Sequence, residues 1–311
     1  MSTYPFKEKA QEYLLYRKGI IAESSYKELD RRLRRIEREM IALRDKGEMS
    51  TLSPTKMSPD DIKAYILYRK ARKVSASDLE HDIGTLNQML LFFGNPAVTQ
   101  CIQRNLGIKP RRSSQRLDPL PEDVYKTILA KWKEIDLNDF PQVRAFAMVL
   151  MYIGTGARNK ELRLCRRSDV NTDTWTIHFA HVKGEDSYGI ERSVPIPDAI
   201  KDVVSEYLYH RDVYLAAHNA TSEALFFQLG GEHTFLSSNS VRKIKQRVEN
   251  AVGYSFELRD CRREFGQYYR DRGLEIDKVS RLMGHATTRT TELYYAGVSQ
   301  SEAIKGARGL W

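Results

Sequence analysis

Between Gly107 and Pro121 the chain loses all hydrophobic periodicity and becomes a run rich in proline, serine and arginine, Gly-Ile-Lys-Pro-Arg-Arg-Ser-Ser-Gln-Arg-Leu-Asp-Pro-Leu-Pro. Its prolines lack the backbone donor that a helix or central strand needs. The stretch therefore divides the 311 residues into two parts, each able to bury its own core. The expected layout is a first domain at 1–106, a basic linker at 107–117 and a second domain at 118–311.

The first part reads as helical throughout, and no strand pattern appears before residue 170. Between Tyr26 and Arg44, the residues Leu29, Leu33, Ile36 and Met40 recur at the spacing of one helix face. Arg31, Arg34, Arg35 and Arg38 form a second face. Such a stripe suits phosphate contact or simply water, with Glu28, Glu37 and Glu39 able to neutralise part of it. Ser58-Pro59-Asp60-Asp61 is a helix start, with serine as cap and proline at the first helical position. Ser77-Asp78 is expected to begin a further helix, with Leu79, Ile83, Leu86 and Leu90 on its buried side.

In the second part, Pro121-Glu122-Asp123 opens a helix that buries Val124, Ile128, Leu129 and Trp132. Residues 142–153 form an apolar helix that ends at Gly154-Thr155-Gly156. Thr174 to Phe179 alternates as a strand, and Glu191 to Ile196 reads as its partner across the turn at 184–189. Helices follow Pro197, with Leu225-Phe226-Phe227 as a short buried element. The fold class expected is mainly α with a small β-hairpin or sheet: a helical N-terminal domain and a mixed α/β C-terminal one.

The formal net charge of +9 favours a polyanionic partner, nucleic acid first. The three cysteines, Cys101, Cys165 and Cys261, form no CxxC pair, and the seven histidines show no HxxxH or HExxH spacing. These counts argue against a disulfide framework and a zinc site. No apolar run reaches the roughly 20 residues of a membrane span, and the N-terminus lacks a signal-peptide core. A cytoplasmic protein is expected.

Four signals carry chemistry. Tyr152-Ile-Gly-Thr-Gly-Ala-Arg158-Asn-Lys-Glu161-Leu162 places an arginine just after a glycine turn and before a helix. Lys183 lies in the turn after the Trp175 strand. Arg259-Asp260-Cys261-Arg262 precedes Leu282-Met283-Gly284-His285, and Tyr294 follows His285 by nine residues. This constellation resembles the tyrosine recombinase, or phage integrase, family. Thr155, Gly156, Arg158, Glu161 and Leu162 match its TGxRxxEL motif, and Lys183 matches its hairpin lysine. Arg262 is similar to its second arginine, because Arg262-Arg263-Glu264-Phe265-Gly266 mimics the family's R-H-x-F-A run. His285 falls in the LGH element, and Tyr294 stands at the family's spacing from it, ahead of its rival Tyr295.

The resemblance covers residues 117–300 by motif and implies a catalytic set of Tyr294, Arg158, Lys183, Arg259, Arg262 and His285. It implies a metal-free transesterification with no cofactor. Tyr294 attacks phosphorus, Arg158 and Arg262 neutralise the phosphate oxygens, Lys183 protonates the leaving 5′-oxygen, and His285 hydrogen-bonds the phosphate. One departure is plain. Arg259 stands where the family usually has histidine, so RxxR replaces HxxR. Arginine stays protonated and cannot serve as a general base, though it can fork onto a phosphate oxygen.

The partners implied are double-stranded DNA and, on paired sites, three further copies of the chain, with a monomer or dimer when free. The run Val241 to Arg247 reads as a helix with a basic face, Arg242, Lys243 and Lys245, for phosphate or groove contact. Ile304, Leu310 and Trp311 in the tail are candidate anchors onto a neighbouring copy.

Overall fold

The computed structural model describes residues 5–110, 118–182, 189–285 and 287–294, together with 304, 307 and 308. The chain forms two compact units, 1–115 and 116–311. Most of the linker run, 111–117, lies outside the described residues.

The first unit is built from α1 (Pro5–Arg17), α2 (Glu23–Asp45), α3 (Pro59–Ala71), α4 (Ala76–Phe92) and α5 (Ala97–Arg104). Leu33, Ile36 and Met40 of α2 are buried, as the spacing requires, against a core that includes Tyr65, Ile66, Leu86 and Leu90. α3 starts where the sequence marks it. The Ser58 hydroxyl accepts from the Asp61 N–H at 3.2 Å, and the Asp61 carboxylate accepts from the Ser58 N–H at 2.9 Å, a reciprocal cap. α4 begins at Ala76, one residue earlier than expected, with the Ser75 hydroxyl accepting from the Asp78 N–H.

Charged side chains sit inside this unit, among them Asp61, Arg69 and Asp82. Asp82 of α4 has no exposed side-chain surface. It binds Arg35 of α2 and, at 3.0 Å, Arg69 of α3. Arg69 also reaches Glu39 at 2.9 Å. The expectation for Arg35 is thereby corrected: its guanidinium turns inward to a buried carboxylate rather than lying on the solvent stripe. Arg31, Arg34 and Arg38 are exposed, the first two paired with Glu28 and Asp30 at 2.8 Å.

The second unit contains α6 (Glu122–Trp132), α7 (Phe140–Thr155), α8 (Asn159–Arg163), the strands β1 (Val170–Asn171), β2 (Thr176–Phe179) and β3 (Arg192–Pro195), then α9 (Lys201–Ala217), α10 (Ser238–Val252), α11 (Leu258–Asp271), α12 (Ile276–Met283) and α13 (Thr288–Tyr294). The fold is mainly helical with a small sheet, as the pattern of periods implies. The strands form one antiparallel sheet in the order β1-β2-β3, with Ile177 opposite Val194 and Phe179 opposite Arg192. β1 carries no sequence signal, since two residues define no period.

α7 is the central helix. Nearly every side chain from Val143 to Thr155 is buried, and α6, α9, α10 and α11 pack around it. A helix apolar on all sides must be enclosed in this way. It ends at Gly156, whose φ of 60° is left-handed and favours glycine. A Cβ there would lie 2.6 Å from the Phe265 ring of α11. The missing side chain thus lets the end of α7 rest directly on α11.

Candidate active site

Two backbone turns bring the site together. The first follows α7: past Gly156 the chain turns and presents Arg158 as the residue capping α8. The second follows α12, where Gly284 at φ 63° ends the helix and leads to His285. Both turns are gripped by Arg262, which projects from the first turns of α11 and is only 3% exposed. Its guanidinium donates to the carbonyl oxygens of Gly156 and Met283, and at 3.0 Å to Nε2 of His285.

Arg158 reaches the same place from the other side. Its Nη2 donates to the Gly284 carbonyl oxygen at 3.0 Å, and its Nη1 donates to Glu161 at 2.7 Å. α8 itself has only five residues. It adds little dipole of its own, so the value of the position comes from the guanidinium.

Glu161 is enclosed. Its two oxygens also receive the fork of Arg192 from β3, at 2.9 and 2.8 Å. Burial opposes its ionisation. The hydrogen bonds and charge of Arg192, with the charges of Arg262 and Arg158, outweigh burial and hold the carboxyl at about 2. Arg192 is absent from the expected catalytic set. The only trace of it in the sequence is a charged residue facing inward on a short alternating strand.

His285 is pushed the other way. Burial, then the charges of Arg262, Arg158 and Arg192, lower its pKa to about 3, so the ring is neutral near pH 7. Because Nε2 accepts from Arg262, the single ring proton sits on Nδ1. That nitrogen donates to the Thr291 hydroxyl at 2.7 Å. Thr291 is buried in α13, three residues before Tyr294.

The remaining expected residues divide. Arg259 is the second residue of α11 and is exposed. With Tyr254, Glu257 and Leu120 it lines an open pocket of about 440 Å³. Among the described residues it shares none of the contacts that tie Arg158, Arg262 and His285 together. Lys183, Tyr295, Leu310 and Trp311 lie outside the described residues, as does the side chain of Tyr294. Ile304 is exposed.

On α10, Arg242 and Lys243 are exposed, but the expectation for Lys245 is corrected. Its side chain is buried, with Nζ donating to Glu249 at 2.6 Å and to the Phe256 carbonyl oxygen. It closes the turn between α10 and α11 and is not part of an exposed basic face.

Comparison with known proteins places this geometry. Residues 119–301 match the family model described as the phage integrase family. The chain belongs to that family. It is 26% identical over 176 residues to tyrosine recombinase XerA of Pyrococcus furiosus. That alignment covers 56% of this chain and 57% of the archaeal protein, less than two thirds of its length. It is 25% identical over 252 residues to tyrosine recombinase XerD of Oceanobacillus iheyensis, covering 80% of this chain and 81% of that one. Among solved structures, the Tn1549 transposon integrase in complex with circular intermediate DNA superposes with a TM-score of 0.70. The identity there is 14%, over 98% of this chain and 99% of that one, which supports the fold alone. Within this integrase-family chain, the Arg158, Arg262 and His285 cluster is assembled from the three segments that carry the family's motifs.

Proposed function

We propose that the protein is a site-specific recombinase or integrase that cleaves and rejoins double-stranded DNA through a 3′-phosphotyrosyl link to Tyr294. The observation that carries this reading is the convergence of Arg158 and Arg262 on the turn from Met283 to His285, with Tyr294 in the next helix. The basic charge of the chain and the DNA held by the Tn1549 integrase point to the same substrate class.

In this mechanism the Tyr294 oxygen attacks the scissile phosphorus and its proton leaves to water, a phosphate oxygen or a neighbouring side chain. Negative charge grows on the non-bridging oxygens as the transition state forms. Guanidiniums already fixed by carbonyl and carboxylate partners meet that charge without reorganising. They supply the neutralisation that a divalent ion gives in other phosphoryl transfers. Lys183 donates a proton to the departing 5′-oxygen, and Arg259 forks onto the phosphate from the position usually held by histidine. The phosphotyrosyl bond keeps the energy of the broken linkage, so a 5′-hydroxyl of a second strand rejoins it without ATP.

His285 takes a different part from that implied by resemblance. With its only N–H committed to Thr291, the neutral ring has no donor left for a phosphate oxygen. Its contribution is to aim Arg262 and to tie the Gly284 turn to the helix of the nucleophile. The acting assembly on two DNA sites is a tetramer of this chain.

Strand exchange tests the reading. Two duplexes carrying the protein's own recombination site, one of them labelled, are incubated with the protein in EDTA without ATP. Recombinant duplex is the expected product. Relaxation of supercoiled DNA without exchange would instead assign a type IB topoisomerase-like activity, and binding with neither would assign a catalytically silent DNA-binding role.

A further inference from the structure

Arg192, like Arg158, touches both Glu161 and the backbone of the turn bearing His285, but it does so from β3. We propose that it is a positioning residue for strand cleavage: it offsets the charge of Glu161, so that the carboxylate does not cancel the charge Arg158 presents to DNA, and it fixes the Leu282–Gly284 backbone. This assignment rests on the recombinase reading above.

Glu161 lies 2.7 Å from Nη1 of Arg158, and its other oxygen accepts from the Arg158 backbone N–H at 2.6 Å. An isolated arginine–carboxylate pair is close to neutral overall, and a neutral pair attracts a phosphate poorly. Arg192 changes that balance. Its fork spans both carboxylate oxygens, which is the strong bidentate geometry for this pair. Three guanidiniums and one carboxylate then leave two positive charges in excess around a neutral imidazole.

The side chain of Arg192 is only 7% exposed. All three of its nitrogens are committed inside the protein. Nε donates to the Leu282 carbonyl oxygen at 2.7 Å, and both Nη atoms hold Glu161. The guanidinium also lies over the Phe179 ring, 4.9 Å from its centroid. Its fit against the turn is close: a Cβ on Gly284 would stand 2.9 Å from Nη1 of Arg192. One residue of β3 therefore links α8 to the end of α12.

Single-turnover cleavage by the full chain tests the assignment, using a saturating nicked duplex that carries its own recombination site. Arg192→Met should cleave roughly a hundredfold more slowly, the scale of losing one preorganised charge, while still binding the duplex with near wild-type affinity. Adding Glu161→Gln should recover about tenfold or more of that loss, because no carboxylate then offsets the charge of Arg158. The double variant also removes the buried unpaired carboxylate, a replacement that proteins often tolerate. Arg192→Lys, which keeps the charge without the fork, should fall between wild type and Arg192→Met. A wild-type rate in Arg192→Met, or a double variant no faster than the single one, overturns the assignment. Absence of any adduct from the wild-type protein would instead sink the recombinase reading itself.

Discussion

Arg262 donates to Nε2 of His285 at 3.0 Å, and this bond decides where the ring carries its proton. A protonated imidazole would place a second donor against the guanidinium, so the ring stays neutral. Its pKa of about 3 reflects burial first and the three arginine charges second.

A pH consequence follows from the sign of that shift. The folded pKa lies below the unfolded value of 6.5. The unfolded chain therefore binds the proton more readily, and stability falls as pH drops from 6.5 toward 3. Thermal melts of wild type and His285→Gln across this range should show the wild type losing more Tm on acidification. Parallel losses would mean that the ring is already protonated in the folded protein.

Two glycines separate conformational strain from crowding. Gly156 and Gly273 both have positive φ, but a Cβ at Gly156 meets the Phe265 ring at 2.6 Å whereas none of the surroundings of Gly273 lies within 4 Å. Gly273→Ala should cost about 1 kcal/mol, the left-handed penalty alone. Gly156→Ala should cost roughly 3 kcal/mol, because overpacking adds to it. Urea denaturation measures both, and equal losses would remove the close approach of α7 to α11 as the cause.

The basic residues of α10 should part in function. Arg242→Ala should reduce the slope of log affinity for duplex DNA against log salt by about 1 and leave stability unchanged. Lys245→Met leaves Glu249 without its cation and the Phe256 carbonyl oxygen without a donor. It should cost roughly 3 kcal/mol of stability and leave the salt slope alone. Filter binding at several salt concentrations and denaturant midpoints check the pair. A salt slope lowered by Lys245→Met would return that residue to the DNA face.

The arginines of α2 should divide in the same manner. Arg35→Ala strips one partner from the enclosed Asp82 and should destabilise the first unit by about 2 kcal/mol or more. Arg31→Ala should change stability by less than about 0.5 kcal/mol, as exposed pairs do. Similar losses for the two would contradict the inward turn of Arg35.

Much of this was legible from local rules. The spacing of Leu33, Ile36 and Met40 specifies the buried face of α2, and Ser58 with Pro59 marks the start of α3. Arg158, Arg262 and His285 could be named only through the resemblance to the family's motifs, which local rules do not single out. The partners were not legible. Arg192 and Glu161 are 31 residues apart, and Arg35 and Asp82 are 47 apart. No period within one element says which charged side chain will meet a carboxylate on another. Lys245 shows the same limit, since a count of charges on a helix does not reveal an acceptor such as the Phe256 carbonyl oxygen waiting beyond its end.

The most direct test concerns the oxygen proposed to attack phosphorus. A nicked duplex carrying the recombination site traps the covalent intermediate, because the short 5′ fragment diffuses away before it can rejoin. In EDTA, wild-type protein and Tyr295→Phe should each form a protein–DNA adduct that survives denaturation, and Tyr294→Phe should form none. An adduct that persists in Tyr294→Phe would contradict the account.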